Sequence, residues 1–246
     1  MVFSDTTNKN GIIQVCEDLL DLQDGEISGD ATLLKKFTNW ANIEYHKVVT
    51  MIFAAQDGWN FDDPNHGDTA SFPKSFNTVA DTQTVDLDTL TNKILRVNRV
   101  EVKYSTDGQF YKAEPINIGE IGLDTDPDNI SGRFDKTEPF YSLQGETLTL
   151  WPTPDASVTG GLKVWYAREV DEFTSADTTQ EPGFDEPFHM MLPLGASIVY
   201  AQQKGKENLQ FLKNEVLEYE QRLKQYYGQK NEDRHWNLRS AFVNYE

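Results

Sequence analysis

Residues 140–154 read FYSLQGETLTLWPTP, and this stretch decides how the rest of the chain divides. Gln144-Gly145 is a turn between two runs of β-forming residues. Leu148 and Leu150 alternate with Thr147 and Thr149, as a half-buried strand requires. Pro152 and Pro154 end the second run, because proline has no N–H to give to a ladder. The pattern is a β-hairpin.

Working outward, Gly160-Gly161 opens a further strand, Leu162 to Tyr166. Upstream, Arg99 to Tyr104 alternates with Val100, Val102 and Tyr104 on one face, and Thr106-Asp107-Gly108 turns the chain into Phe110-Tyr111. Short antiparallel strands at this spacing over residues 76–170 predict an inserted β-domain, a small sandwich or barrel.

On both sides the hydrophobic period changes to that of a helix. Ile12, Val15, Leu19 and Leu22 form one stripe, with Asn10 as a cap and Asp24-Gly25 as a stop. Ser28-Gly29-Asp30 then leads into a longer stripe, Leu34, Phe37, Ala41, Tyr45, Val48, Ile52 and Ala55, which Trp40, Ile43 and Val49 widen and Gly58 closes. After the strands, Asp185-Glu186-Pro187 starts a third helix carrying the small residues Ala196, Ser197 and Ala201. Gly205 breaks it. A last helix carries the packing seam Leu209, Leu212, Val216, Tyr219, Leu223 and Tyr226 at steps of three and four. The expected fold is α+β: a four-helix bundle-like portion from two N-terminal and two C-terminal helices, an inserted antiparallel β-domain, and an extended C-terminal tail. Its boundaries fall at 1–75 for the N-terminal helices and loop, 76–170 for the β-domain, 171–228 for the C-terminal helical hairpin, and 229–246 for the tail. The polar, punctuated stretch from Asp57 to Pro73 reads as a long surface loop.

Composition narrows the function. The 22 Lys+Arg against 40 Asp+Glu give a formal charge of −18, which argues against a grip on nucleic-acid phosphates or on an anionic membrane. The charge is uneven. From Arg222 onward five basic residues face three acidic ones, a net of +2, which leaves −20 for the first 221 residues. Between Arg168 and Lys204 there is no Lys or Arg at all. The opening MVFSDTTNKN has neither the basic start nor the apolar core of a signal peptide, and no apolar run is long enough to span a membrane. The one cysteine, Cys16, leaves no internal disulfide and reads as a buried thiol.

A search for chemistry gives no catalytic constellation. His46, His66, His189 and His235 show no metal-ligand spacing, and Lys204-Gly205-Lys206 lacks the spacing of a phosphate loop. Asp124, Asp126 and Asp128 match positions one, three and five of a calcium loop. Asn129 stands where that loop needs glycine, and Asp135 where it needs glutamate, so a solvated loop is the preferred reading. No enzyme activity, cofactor or metal is expected.

The order of two helices, β-domain, two helices and tail resembles the head-to-tail adaptor proteins of tailed bacteriophages, including the tail-tubular-A-type adaptors. The resemblance rests on Phe140 to Pro154, on Gly161-Leu162-Lys163-Val164-Trp165-Tyr166, on the acidic segment with Glu186-Pro187-Phe188-His189, and on the last helix pair. It covers roughly residues 90–228. It implies a structural protein of the virion neck, made in the host cytoplasm, that forms a ring of twelve copies under the portal protein. That ring would extend the DNA channel and present the attachment surface for the tail or neck component below. DNA would pass without specific binding, since an acidic wall repels phosphate. The mildly basic tail, with Arg234, Trp236, Arg239, Phe242 and Tyr245, is the expected docking segment, because aromatic and Arg side chains are the common anchors of interfaces. Two rival functions are a glycan- or protein-binding module displaying Trp59, Trp151 and Trp165, and a hydrolase using carboxylates such as Asp124 and Asp126.

Overall fold

The computed structural model describes residues 1–56, 58–61, 72–88, 90, 93–117 and 134–232. The chain is a mixed α+β protein that divides into two compact units, one from Met1–Trp59 together with the chain from Glu172 on, the other from Asn60–Asp171.

Among the described residues the first unit holds four α-helices: α1 (Ile12–Leu19), α2 (Ala31–Ala55), α3 (Met191–Lys204) and α4 (Leu209–Glu232), with a 3-10 helix at Glu186–Phe188. Helix α3 packs against α1, α2 and α4, and α2 also packs against α4. Close approach on α3 needs a missing side chain. A Cβ on Gly195 would lie 2.4 Å from the Glu44 side chain of α2, and Ala196, Ser197 and Ala201 beside it are fully buried or nearly so.

Helix α2 starts as its sequence dictates. The Asp30 carboxylate accepts hydrogen bonds from the N–H groups of Thr32 (2.8 Å) and Leu33 (3.1 Å), which would otherwise lack helical partners. Phe37, Ala41, Tyr45, Val48 and Ile52 are fully buried, but Ile43 is 49 % exposed and does not widen the stripe. The helix ends at Ala55 with Gln56 as its cap, two residues before Gly58.

Helix α1 departs further from expectation. Gly11 precedes it, not Asn10, and it ends at Leu19, with Asp21 in the left-handed region (φ 51°). Its buried residues are Ile12, Ile13, Gln14, Cys16 and Glu17, followed by Leu20, while Val15 and Leu19 are half-buried. They include Glu17 because its carboxylate organises the next turn: Oε1 accepts from the N–H of Ile27 (2.8 Å) and Ser28 (2.9 Å), and Oε2 from Gly25 (3.2 Å). The end of α1 is tied down from the other side of the unit. Lys206 Nζ and Asn208 Nδ2, from the turn between α3 and α4, donate to the carbonyls of Leu20 (2.9 Å) and Leu19 (2.6 Å).

The described residues of the second unit form a seven-stranded sheet, nearly closed like a barrel, in the order β1-β7-β3-β4-β5-β6-β2. The strands are β1 (Lys74–Thr78), β2 (Thr84–Asp86), β3 (Ile94–Val102), β4 (Tyr111–Pro115), β5 (Phe140–Gln144), β6 (Thr147–Trp151) and β7 (Val158–Arg168). The two hairpins expected from the sequence are present. Phe140 pairs with Trp151 and Gln144 with Thr147 around Gly145 (φ 61°), and Val102 pairs with Tyr111. The sheet is not wholly antiparallel: β4 and β5 run parallel, Glu114 opposite Phe140. Residues 116–139 supply the long connection that a parallel pair needs. The two outer strands, β1 and β2, approach each other. The chain between them is pinned by the Asp81 N–H on the Pro154 carbonyl (2.8 Å) and the Ala80 N–H on Ser157 Oγ (3.0 Å). The interior is filled by Val100, Val102, Leu148, Leu150, Leu162, Val164 and Tyr166.

Gly160 and Gly161 lie inside β7, not before it. Gly160 has φ 62°, and a Cβ on Gly161 would stand 2.5 Å from Thr78 Oγ1 and 3.0 Å from the Val158 carbonyl, where the β1–β7 register shifts.

Two substitutions test this account. Glu17→Gln puts an amide where one of three N–H groups is held, and should lower the stability of the helical unit by about 2 kcal/mol in denaturant titrations followed by far-ultraviolet circular dichroism. Gly161→Ala should destabilise the β unit by about 1–3 kcal/mol through overpacking.

Candidate docking surface

The last helix places its seam residues unequally. Leu212 and Leu223 are fully buried and Val216 nearly so, Leu209 and Tyr219 are half-buried, and Tyr226 is 40 % exposed. The residue that is fully buried at that end is Tyr227. A three-four step has a period below that of a straight helix, so the buried side drifts to the next residue over several turns.

Tyr227 is held from three sides. Its hydroxyl accepts the Asp185 N–H (3.1 Å), and its ring centroid lies 6.0 Å from both Trp59 and Phe188. Tyr226, turned outward, meets Phe188 at 5.3 Å. Lys230 spans the same place, with Nζ 5.0 Å from both tyrosine rings and 2.5 Å from Asp185 Oδ2. The result is an open groove of about 340 Å³ between the 3-10 helix and α4, lined by Pro187, Phe188, Tyr219, Arg222, Gln225, Tyr226 and Gln229. Arg222 reaches over the Tyr219 ring (5.9 Å) and pairs with Glu218 (3.1 Å). The lining of the groove thus combines aromatic rings with a guanidinium and amides, the side-chain types common at protein interfaces.

His189 follows the 3-10 helix and is buried. Its Nε2 lies 2.7 Å from the Phe184 carbonyl and its Nδ1 2.9 Å from the Met1 amino nitrogen, while Phe184 stands edge-on to the imidazole at 5.3 Å. Asp185-Glu186-Pro187 therefore starts this short 3-10 segment, and α3 begins only at Met191. His46 is an exposed partner of Glu172 (2.8 Å).

The expected docking residues Arg234, Trp236, Arg239, Phe242 and Tyr245 lie outside the described residues, as do Asp124, Asp126, Asp128, Asn129, His66, His235 and most of the stretch from Asp57 to Pro73. Asp135 is described and turned on its own backbone. Its carboxylate accepts the Thr137 N–H (2.9 Å), and the Thr137 hydrogen bonds hold it below the usual carboxylate range. Among the described residues, no three His, Cys, Asp or Glu side chains are placed to hold a metal ion. Cys16 is buried with Sγ 3.6 Å from the Pro193 carbonyl, and burial pushes its thiol up to about 12, so it stays protonated. Trp59 and Trp151 are 2 % and 6 % exposed, which removes them from any glycan-binding display. The sequence pointed to Phe188 only as part of a helix start. The signal for the groove was Phe188 set against the consecutive pair Tyr226-Tyr227, read at a true helical period.

The chain belongs to the SU10 adaptor protein family, whose family model matches residues 12–242 and so spans both units. It is thus a phage head-to-tail adaptor, a structural protein of the virion that binds head and tail components, in a family that is not one of enzymes. A search of curated proteins found no match to this chain.

His189 makes the helical unit sensitive to acid. Burial, the largest influence, lowers its proton affinity below that of an exposed imidazole, and the Met1 ammonium acts in the same direction; the Phe184 carbonyl, Glu181 and Glu186 oppose them. The unfolded chain therefore takes up this proton first as pH falls, and stability present above about 6.5 is lost between that value and the lower folded value. Denaturant midpoints at pH 7.5 and 5.5 should show this loss in the wild type and a smaller one in His189→Gln.

Proposed function

We propose that this adaptor forms a ring, of twelve copies, beneath the portal protein, extending the DNA channel and giving the tail its attachment surface. The observation that carries the reading is the family match over residues 12–242 on a chain with two compact units and a charge of −18. An acidic wall lets DNA slide without being held. The helical unit forms the ring-to-ring contacts, and the β unit faces outward or toward the next neck component.

The mildly basic tail docks on the portal or on a neighbouring subunit through Arg234, Trp236, Arg239, Phe242 and Tyr245. It leaves the end of α4 that carries the groove at Phe188 and Tyr226, so tail and groove serve one contact region. The free protein is a monomer or a weak oligomer that assembles on its ring-shaped partner.

Light scattering on purified protein, with electron microscopy of particles, tests the ring. A stable small dimer in solution together with absence from the particle neck would sink it. A chain ending at Glu232 should keep its circular dichroism and thermal midpoint yet be missing from particles. If that chain still joins particles normally, the docking role of the tail is wrong.

A further inference from the structure

The acidic chain has one face of opposite sign. On the outer side of the β unit, opposite the buried row of Val100, Val102, Leu162 and Val164, stand Arg99 and Glu101 of β3, Lys112 and Glu114 of β4, and Lys163 and Trp165 of β7. The register aligns them: Arg99 lies opposite Trp165, and Glu101 lies opposite both Lys163 and Lys112. Lys103 follows at the end of β3. Two aromatic rings are built into the face, Phe110 beneath Lys163 (4.1 Å) and Lys103 (5.4 Å), and Trp165 beneath Arg99 (5.5 Å). On this face four cations stand with two carboxylates, a net of +2 on a chain of −18.

Two features decide what such a face fits. Glu101 pairs with Arg99, and Glu114 with Lys112 at 2.7 Å, so carboxylates interleave the cations. They would repel a phosphate backbone but suit a protein surface bearing both donors and acceptors. The complementary surface is on the same chain. The segment following the β unit carries Glu172, Asp177, Glu181, Asp185 and Glu186 without a Lys or Arg, and the side chains of Glu172, Glu181 and Glu186 are 60 %, 50 % and 85 % exposed.

We propose that the Arg99–Lys103–Lys163 face of one copy docks on the acidic 172–186 segment of a second copy. Two different patches then meet head to tail, and a contact of this heterologous kind closes into a ring when its rotation permits. The inference rests on the ring reading and supplies its contact surface. Opposite charge gives such a contact its orientation, with Phe110 and Trp165 as the desolvated centre.

The test couples contacting amines to carboxylates. Equal amounts of isotopically heavy and light protein, concentrated and treated with a zero-length carbodiimide, should give heavy–light peptides joining Lys103, Lys112 or Lys163 to carboxylates of residues 172–186. Their yield should fall about tenfold in high salt, which screens exposed charges. It should fall likewise in R99E/K163E and in E172K/E186K, and return when both pairs of changes are made in one chain. Circular dichroism excludes misfolding of the variants. Heavy–light links only at other positions, none at all, or no recovery in the fourfold variant would overturn the proposal. Retention of a short DNA duplex by the wild type and its loss in R99E/K163E would overturn it in favour of nucleic acid. Rings on particles without these links would refute this contact while leaving the ring, and these links without rings on particles would do the reverse.

Discussion

The return of the chain from the β unit is fixed by one side chain. Asn42, buried in the middle of α2, donates through Nδ2 to the Phe173 carbonyl and accepts the Phe173 N–H at Oδ1, each at 2.9 Å. An extended strand would find this pair of bonds in a neighbouring strand; here an amide on a helix supplies both. The segment is acidic and has few apolar residues, so it has little hydrophobic reason to lie on the helices. Satisfying both polar groups of Phe173 lets its ring enter the core, stacked on Phe3 at 4.8 Å and on Tyr45 at 5.5 Å. Tyr45 extends the hold by accepting the Gly183 N–H at 2.7 Å. Without Asn42, two buried backbone groups would lack partners, at a cost of about 1–3 kcal/mol each.

The same device recurs through the helical unit. Glu17 holds three N–H groups of the turn before α2, and Tyr227 takes the Asp185 N–H. Irregular chain is laid on the helices by buried polar groups from helix interiors, and aromatic rings fill the space around them. Beside buried Tyr227, the rings of Phe188 and Tyr226 line an open groove. The β unit works differently. It has an apolar interior, and alternate residues of its strands point outward.

Where one periodicity governed a segment, the sequence was readable. The hairpins at Gly145 and after Tyr104, the cap at Asp30 and the left-handed stop at Gly205 all follow from residue chemistry. It misled where tertiary partners decide. Glu17 belongs to the buried side of α1 because three N–H groups await it, which no hydrophobic stripe reveals. Ile43 sits beside a continuous stripe yet faces outward. The parallel pairing of β4 with β5 depends on a long connection, and β1 and β2 carry too few apolar residues to be read as strands. The groove was half legible: Tyr219 and Tyr226 were placed on a packing seam, and their openness came from the drift that buries Tyr227 instead.

The ends of the β unit meet within it. The Phe61 ring lies 4.2 Å from the guanidinium of buried Arg168, which also bonds to Asp171 at 3.1 Å. This changes the folding problem of the helical unit, whose two halves are separated by on the order of a hundred residues of sequence. A flexible loop of that length would cost about 3 kcal/mol more to close than one of a few residues. Once the insert has folded and joined its own ends, α3 and α4 search for α1 and α2 as though tethered by a short loop. The order of folding events, insert before host, is thereby favoured by chain entropy alone.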